Sequence, residues 1–326
     1  MTGGPNTQLN PGGSDADPWH EGEREVHRRL GLEDAIDPIG RRNIRRFMPD
    51  QHRLFFAQLP FAFLGALDRA GNPWATVLCG RPGFLASPDP RFLSVDAYPP
   101  DGDPTAEGLF VGARVALLGI ELPTRRRNRM NGVIVDLDIS AFTVMVEQSF
   151  GNCPQYIQRR HYGAALPPCF PSPEPLGLAD DWAHDLLRRA DTAFVASSTP
   201  PRGSESGAGV DVSHRGGMPG FIRIAEDGVL EIPDYRGNRY FNTLGNLLAY
   251  PRAGLAVPDF ATGDLLQLTG SAEIAWEPPH TAGPPEAERF WRLKPARMIR
   301  LRDAFPVRVG SPEFSPGLLA ASNAGP

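Results

Sequence analysis

The sequence predicts a mainly β protein with short helices (α+β), built from two tandem copies of one antiparallel β unit. Three observations predict this class. The 35 glycines and 35 prolines among 326 residues disfavour long helices, short apolar runs alternate with turn residues, and the order of those runs occurs twice. Such spacing is typical of an antiparallel barrel or sandwich, and the length fits two domains of about 100–200 residues each.

The first copy opens with helices and continues with short strands. An apolar face through Val26, Leu30 and Leu32 predicts one helix, and residues 47–58 predict another. Two apolar runs on either side of a turn at 68–72 predict a hairpin. The predicted strands of this copy are 61–67, 74–78, 92–95, 115–120, 130–136 and 142–147.

The second half of the chain repeats the first. Three segments match at nearly constant offsets of 131, 137 and 138 positions: 192–197 with 61–66, 219–221 with 82–84, and 269–270 with 131–132. A longer loop at 200–209 accounts for the growth of the offset. Duplication is therefore favoured over chance similarity between hairpins.

Composition places the boundaries between these units. We expect a disordered tail at 1–18, a first copy at 19–165 and a second copy at 178–309 that starts with a helix over 178–190. A proline-rich stretch at 166–177 predicts an extended linker. The last residues, 310–326, are expected to be a loose tail.

Several function classes lack their sequence signals. The net charge of −5 disfavours a nucleic-acid partner, and no apolar run of about 18 residues predicts a membrane span. The N-terminus does not resemble a secretory signal. The cysteines Cys79, Cys153 and Cys169 form no CxxC pair, which fits a reducing cytoplasm. No histidines have metal-ligand spacing, so no metal site is expected.

One stretch has the composition of a phosphate site. Residues 236–239 supply two arginines and a flexible turn, and Asn242 and Thr243 follow at the predicted N-cap of a helix. A helix N-terminus presents free N–H groups and favours an anion by about 0.3–1 kcal/mol. A capped connector helix with solvated arginines is the alternative, and the sequence does not decide between them.

Three other stretches carry polar chemistry. Ser213, His214 and Arg215 precede two glycines, which permit close approach of a ligand to the backbone. Residues 150–160 contain Cys153, which is more typical of an inert buried thiol than of a nucleophile, and Tyr156, which could hydrogen-bond or stack on a ring. The arginine run at 125–129 is interpreted as a solvated hairpin, with the rim of an anion pocket as the alternative.

Four motifs together resemble one known family. They are WHEGE at 19–23, FGNCPQYIQRR at 150–160, SHRGGMPGF at 213–221, and PDYRGNRYFNTLGNL at 233–247 with DFATGDLLQLTG at 259–270. The chain resembles the pyridoxamine 5′-phosphate oxidase-like superfamily of FMN-binding split β-barrels, in its tandem, two-barrel form. The resemblance covers about residues 19–305 and does not specify a substrate.

The resemblance implies two tandem six-stranded antiparallel split β-barrels, with flavin mononucleotide (FMN) at an interface between barrels. The cofactor-binding residues that it implies are Ser213, His214, Arg215, Gly217, Phe221, Asn238, Arg239, Asn242, Thr243 and Asn246 from the second copy, and Gln148, Asn152, Cys153, Pro154 and Tyr156 from the first. His214 and Tyr156 are the implied catalytic candidates, through hydrogen bonds to a substrate. Residues 101–112 of the first copy lack the Asn/Arg set, which implies one flavin per chain.

The implied activity is that of a cytoplasmic FMN-dependent oxidoreductase. A hydride would pass through flavin N5 to or from an unidentified small molecule, with an electron donor or acceptor as the other partner. A non-catalytic carrier of flavin, deazaflavin or haem is the alternative, and a scaffold without cofactor is a third. Homodimerisation is the default expectation for such seams, and neither nucleic acid nor membrane is expected as a partner.

Overall fold

The structure, a computed structural model, describes residues 17–165, 171–201, 206–277, 287–305 and 307–323. The predicted disordered tail lies outside these residues except for Asp17 and Pro18, as do 166–170 of the predicted linker. The predicted class, mainly β with short helices in two antiparallel units, is confirmed. Across the described ranges, no helix has the length and apolar character needed to cross a membrane.

The first copy forms one antiparallel sheet. Its strands are β1 (Phe61–Leu67), β2 (Pro73–Cys79), β3 (Leu85–Ala86), β4 (Phe92–Val95), β5 (Arg114–Glu121), β6 (Arg126–Leu137) and β7 (Phe142–Gly151). Their order in the sheet is β2-β1-β5-β6-β7-β4-β3. Three helices precede it: α1 (Glu21–Arg29), α2 (Glu33–Asn43) and α3 (Asp50–Ala57).

Two short strands, β8 (Tyr162–Ala165) and β9 (Ser172–Leu176), and helix α4 (Asp181–Arg189) connect the copies. The second copy contains β10 (Thr192–Ser198), β11 (Val210–Gly216), β12 (Arg223–Ile224), β13 (Leu230–Tyr235), helix α5 (Asn242–Ala249), β14 (Arg252–Asp259), β15 (Asp264–Ala275) and β16 (Ala287–Arg302). Strand β17 (Val307–Val309) and helix α6 (Pro316–Asn323) follow. The sheet order is β11-β10-β14-β15-β16-β13-β12.

The two sheets therefore have one topology. Each strand of the first sheet has its counterpart at the same place in the order of the second sheet. Both orders contain seven strands instead of the expected six, because each copy has an additional strand of two residues, β3 or β12. Even the irregularities repeat. The register shifts between Asn131 and Gly132 in β6 and between Thr269 and Gly270 in β15, one of the matches found in the sequence.

The copies meet along an apolar seam. Phe63 of β1 and Phe194 of β10 hold equivalent positions, and their rings stack with centroids 3.4 Å apart at 12°. One buried cluster contains side chains of both copies, whereas each copy also has its own core. Strand β11 contacts β5 while β2 contacts β14. The seam thus forms within one chain and brings β11 beside the other sheet.

The segments expected to be extended or loose make specific contacts. Strand β9, inside the predicted linker, pairs with β16 of the second sheet, because the proline-rich chain lies along a free strand edge. In the predicted loose tail, Glu313 exchanges backbone hydrogen bonds with Arg159, and α6 follows. Helix α2 was not predicted, since its sequence is polar and contains Pro38.

Candidate functional site

A cavity of about 100 Å³ lies where β11 meets the first copy. Its wall is formed by β11, the start of α5, strands β5 and β6, and the loop after β7. Among the predicted cofactor-binding residues, ten line it: Asn152, Cys153, Tyr156, Ser213, His214, Arg215, Asn238, Arg239, Asn242 and Thr243. The fold therefore brings three distant stretches of sequence into one site that uses both copies.

Five predicted residues lie elsewhere. Asn246 is fully buried and donates to Ser197 and Asp211, so it supports the site from beneath. Gln148 lines a separate cavity, and its amide donates to the carbonyl of Pro18. The remaining three do not line the cavity either. Phe221 packs into the core of the second copy, Gly217 bonds Asp191 and Gln158 through its backbone, and Pro154 accepts from the backbone of Ile157.

Two arginines of the site were not predicted as ligand-binding residues. Arg127 and Arg129 of β6 line the cavity, whereas Arg126, which precedes them, lies against the ring of Phe55. Side chains alternate across a strand, so Arg127 and Arg129, two positions apart in β6, reach the cavity from the same face. The interpretation of this run as a solvated hairpin is wrong for Arg127 and Arg129, which line the cavity.

Arg129 is held by a buried polar network. Its Nη1 donates to Asp211 over 2.7 Å and to Asn242 over 2.9 Å, and its Nη2 donates to Ser213. Thr243 donates to the Ser213 hydroxyl over 3.3 Å. The ion pair with Asp211 neutralises this guanidinium, so Arg129 contributes hydrogen-bond geometry to the cavity more than net charge.

In the described part of the chain, Arg127 and Arg215 differ from Arg129 in having no direct ion pair. Among the described residues, neither has a carboxylate oxygen within 4.0 Å, and both donate to the backbone carbonyl of His214. Arg127 also donates to the carbonyl of Cys153. Burial, and then the nearby Arg215, lower the pKa of Arg127 to about 9, while burial lowers the pKa of Arg215. Two arginines side by side without a direct ion pair favour an anionic ligand, although Asp234 lies near enough to Arg215 to oppose the lowering of its pKa.

On another side of the cavity, acidic and basic side chains form a chain of ion pairs. Asp234 accepts from Arg289 over 2.7 Å, and Glu288 accepts from both Arg289 and Arg239. Burial raises the pKa of the Asp234 carboxyl, although Arg215 and Arg289 oppose this. The cation of Arg239 is thus already paired with Glu288, whereas Arg127 and Arg215 have no carboxylate oxygen within 4.0 Å among the described residues.

Helix α5 adds backbone donors. Residues 241–244 at its N-terminus line the cavity, and the helix has no side-chain cap. The predicted N-cap, Asn242, is instead the first helical residue, because Phe241 takes the cap position in the left-handed conformation, with φ of 57°. The unpaired N–H groups of a first helical turn favour an anion.

Backbone strain concentrates at this cavity. Tyr156, Arg239 and Phe241 all have φ between 57° and 65°, a region that residues with a Cβ rarely adopt. Gly216 is required nearby, because a Cβ there would lie 1.9 Å from the Tyr156 carbonyl oxygen. Such local conformations persist only where surrounding contacts hold them, and they are frequent at ligand sites.

The two catalytic candidates have different surroundings. Both ring nitrogens of His214 are buried without a hydrogen-bond partner in the described part of the chain, and burial lowers the pKa of this ring well below its usual value. Both nitrogens of His214 are therefore enclosed, and the charged form of the ring is disfavoured. The Tyr156 hydroxyl donates to the carbonyl of Arg236, and its ring lies 5.0 Å from that of Tyr235.

Cys153 lies at the edge of the cavity. It is half-buried, and its sulfur accepts from the backbone N–H of Gln155 at 3.5 Å. In the described ranges, no group of three histidine, cysteine, aspartate or glutamate side chains is placed to hold a metal ion. The site is thus defined by arginines, amides and backbone donors.

Comparisons with known proteins gave matches only at the level of solved structures. No family model matches the chain, and no curated protein matches it. HupZ from Group A Streptococcus is 14% identical with a TM-score of 0.28, covering 37% of this chain and 93% of its own. A candidate pyridoxamine 5′-phosphate oxidase from Lactobacillus delbrueckii is 17% identical with a TM-score of 0.27, covering 33% and 98%.

General Stress Protein 26 from Bacillus anthracis is 12% identical, covers 40% of this chain and 92% of its own, and has a TM-score of 0.24. A candidate pyridoxamine 5′-phosphate oxidase is thus among the matched structures. These three proteins are spanned almost whole by 33–40% of this chain. At these identities and TM-scores, the likeness carries no information about ligand or reaction.

Proposed function

We propose that this chain binds FMN in the cavity between its two copies and acts as a flavin-dependent oxidoreductase. One observation carries the proposal: Arg127 and Arg215 lie together on the cavity wall without a carboxylate within 4.0 Å among the described residues. A phosphate would compensate both charges, and guanidinium groups bind phosphate through paired hydrogen bonds. The uncapped start of α5 supplies further donors at the same place.

The cavity fits the phosphate better than it fits the whole cofactor. Its enclosed volume of about 100 Å³ is smaller than the 300–1,000 Å³ typical of complete ligand pockets. The flavin ring would therefore extend beyond the enclosed part. Tyr156 and Tyr235 offer aromatic surface beside the phosphate position.

Bound FMN would supply hydride and electron transfer, which protein side chains do not. The chain's own residues would fix the cofactor by its phosphate through Arg127 and Arg215, with Ser213 and Asn242 held in place by Arg129. The substrate is a small molecule, and a second small molecule donates or accepts the electrons. The Tyr156 hydroxyl is the better candidate for contacting a substrate, since both His214 nitrogens are enclosed.

The test compares FMN with riboflavin, which has the same ring and no phosphate. We expect the purified chain to take up FMN, with one bound per chain, and to bind riboflavin at least about 100-fold more weakly, the effect of losing two or more charge-assisted hydrogen bonds. Flavin fluorescence and the visible spectrum measure both. Equal affinities would remove the phosphate assignment, and no flavin uptake would remove the proposal.

The alternative is a carrier without turnover, holding flavin, deazaflavin or haem. The enclosed and unpartnered ring of His214 is the observation that bears on haem, since a neutral imidazole is a suitable iron ligand. The same spectra separate the cases: a haem complex has an intense band near the ultraviolet edge, and a carrier shows bound flavin that nicotinamide donors do not reduce.

A further inference from the structure

Helix α1 belongs to the first copy in sequence and to the second in packing. It crosses α5 so closely that a Cβ on Gly22 would lie 2.2 Å from the Gly245 carbonyl oxygen, and one on Gly245 would lie 2.5 Å from the Glu23 side chain. Val26 joins the core of the second copy. This crossing places the Glu23 carboxylate, which is 2% exposed, over the start of α5.

Glu23 contacts the candidate site through one amide. Asn242 Nδ2 donates to Glu23 Oε1, and Asn242 Oδ1 accepts from Arg129. The other carboxylate oxygen, Oε2, accepts from the backbone N–H of His20 over 3.1 Å. An amide has one accepting and one donating side. Its orientation is therefore fixed when a carboxylate lies on one side and a guanidinium on the other.

We propose that Glu23 is a positioning residue of the anion site: it fixes the Asn242 amide so that its oxygen faces Arg129. Arg129 then keeps its hydrogen bonds to Asp211 through Nη1 and to Ser213 through Nη2. The proposal rests on the proposed function, and it adds a third part to the site, since a helix at the start of the first copy orients a residue of the second. Glu23 does not line the cavity.

Both oxygens of Glu23 accept an N–H group, so glutamine cannot replace it without loss. In either rotation the glutamine NH₂ group would face a donor, either Asn242 Nδ2 or the His20 N–H. Glu23→Gln keeps the size of the side chain and breaks one hydrogen bond. The matched control is Glu25→Gln on the same helix, where the carboxylate is half-exposed and pairs with Arg28.

The experiment measures FMN affinity in the full chain for Glu23→Gln, Asn242→Ala and the double variant. We expect Glu23→Gln to weaken binding about five- to tenfold, the effect of one lost hydrogen bond, and to have no further effect when Asn242 is already alanine. Glu25→Gln should bind as the unchanged chain does. Additive losses in the double variant would show that Glu23 acts independently of Asn242 and would overturn the proposal.

A spectroscopic signature separates positioning from general loosening of the fold. In the chain labelled with ¹⁵N-asparagine, the side-chain amide signal that disappears in Asn242→Ala should shift in Glu23→Gln and stay in place in Glu25→Gln. An unmoved signal overturns the contact. If the unchanged chain binds no FMN, the proposed function fails instead, and this outcome is distinct from FMN binding that Glu23→Gln leaves unaltered.

Discussion

The two copies have one topology but differ at the place where each meets the other. The strand registers make this comparison residue by residue. Ser213, His214 and Arg215 of β11 correspond to Thr76, Val77 and Leu78 of β2. On the facing strands, Arg127 and Arg129 of β6 correspond to Leu265 and Gln267 of β15. The first place, where β11 faces β6, has three arginines at these positions. The second place, where β2 faces β15, has none.

The second place is filled by a carboxylate of the chain itself. Asp103 is 1% exposed and caps a short 3₁₀ turn, Pro104–Gly108, that stands where the second copy has α5. Its oxygens accept from Thr76 over 2.6 Å and from Gln267 over 3.1 Å, the counterparts of Ser213 and Arg129. In the second copy the corresponding helix start has no side-chain cap and faces the cavity.

This difference indicates how a duplicated fold can keep one anion site. At the first place Arg127 and Arg215 have no carboxylate oxygen within 4.0 Å among the described residues, so a ligand anion would complete their hydrogen bonding. At the second place an internal carboxylate satisfies the donors, and a ligand would have to displace it. We therefore expect one ligand per chain, and the following predictions test the contrast from the largest effect to the smallest.

The largest effect is expected from removing both uncompensated cations. Arg127→Ala with Arg215→Ala should weaken FMN binding at least about 100-fold, because each guanidinium contributes about 1.5–3 kcal/mol through hydrogen bonds to a charged group. Fluorescence titration measures it. Arg126→Ala is the control, since this side chain lies on Phe55 outside the cavity. Unchanged affinity in the double variant would contradict the assignment of the anion site.

A smaller effect is expected at Gly216, whose equivalent position in the first copy is occupied by Cys79. Gly216→Ala should destabilise the fold by about 1–3 kcal/mol, the cost of overpacking, since its Cβ would lie 1.9 Å from the Tyr156 carbonyl oxygen. It should also weaken FMN binding by moving the loop. In the first copy, Cys79→Ala should cost less than about 1.5 kcal/mol. Urea unfolding measures both, and equal losses would remove the contrast.

The smallest effect concerns acid stability. Burial and three arginines lower the pKa of His214 in the folded chain, so below pH 6.5 the unfolded chain binds a proton that the folded chain does not. Stability is then complete above pH 6.5 and falls as the pH drops, by up to about 1.4 kcal/mol per pH unit from this group. His214→Val, which installs the residue of the first copy, should reduce that slope.

His52 provides the reference for this measurement. Its pKa is lowered to about 4, chiefly by burial, so it adds a slope of the same sign that His214→Val leaves in place. Thermal or urea unfolding between pH 4.5 and 7.5 would resolve the two contributions. If His214→Val left the whole slope intact, the histidine would titrate normally in the folded chain.

Much of the fold could be predicted because its signals are local. Strands β1 and β4 have the predicted bounds, since apolar runs between turn residues specify short strands. The repeat identified the second sheet. Helix α2 was missed because Pro38 and many polar residues obscure its periodicity, and β9 was missed because its strand partner lies more than 110 residues away in β16.

The candidate site could likewise be predicted in part from the sequence. Arginine and glycine motifs predicted ten of its residues, since the chemistry of phosphate binding is visible in residue types. The roles within it were less visible. Asn246 carries the right side chain for a ligand contact but lies beneath the cavity, where it holds Asp211 and Ser197. The period-two spacing of Arg127 and Arg129 was the signal that could have shown both to face one side.

By itself, the sequence determined the class of fold, the duplication and the presence of a cation-rich site in the second copy, because apolar period, repeat offset and residue type are properties of short segments. The tertiary structure decided which cations lack counter-charges, that β6 of the first copy completes the site, and that Glu23 reaches Asn242 across 219 positions. These depend on the distance between groups far apart in the chain. Because electrostatic and hydrogen-bond energies fall steeply with distance, only the folded arrangement of the two copies determines them.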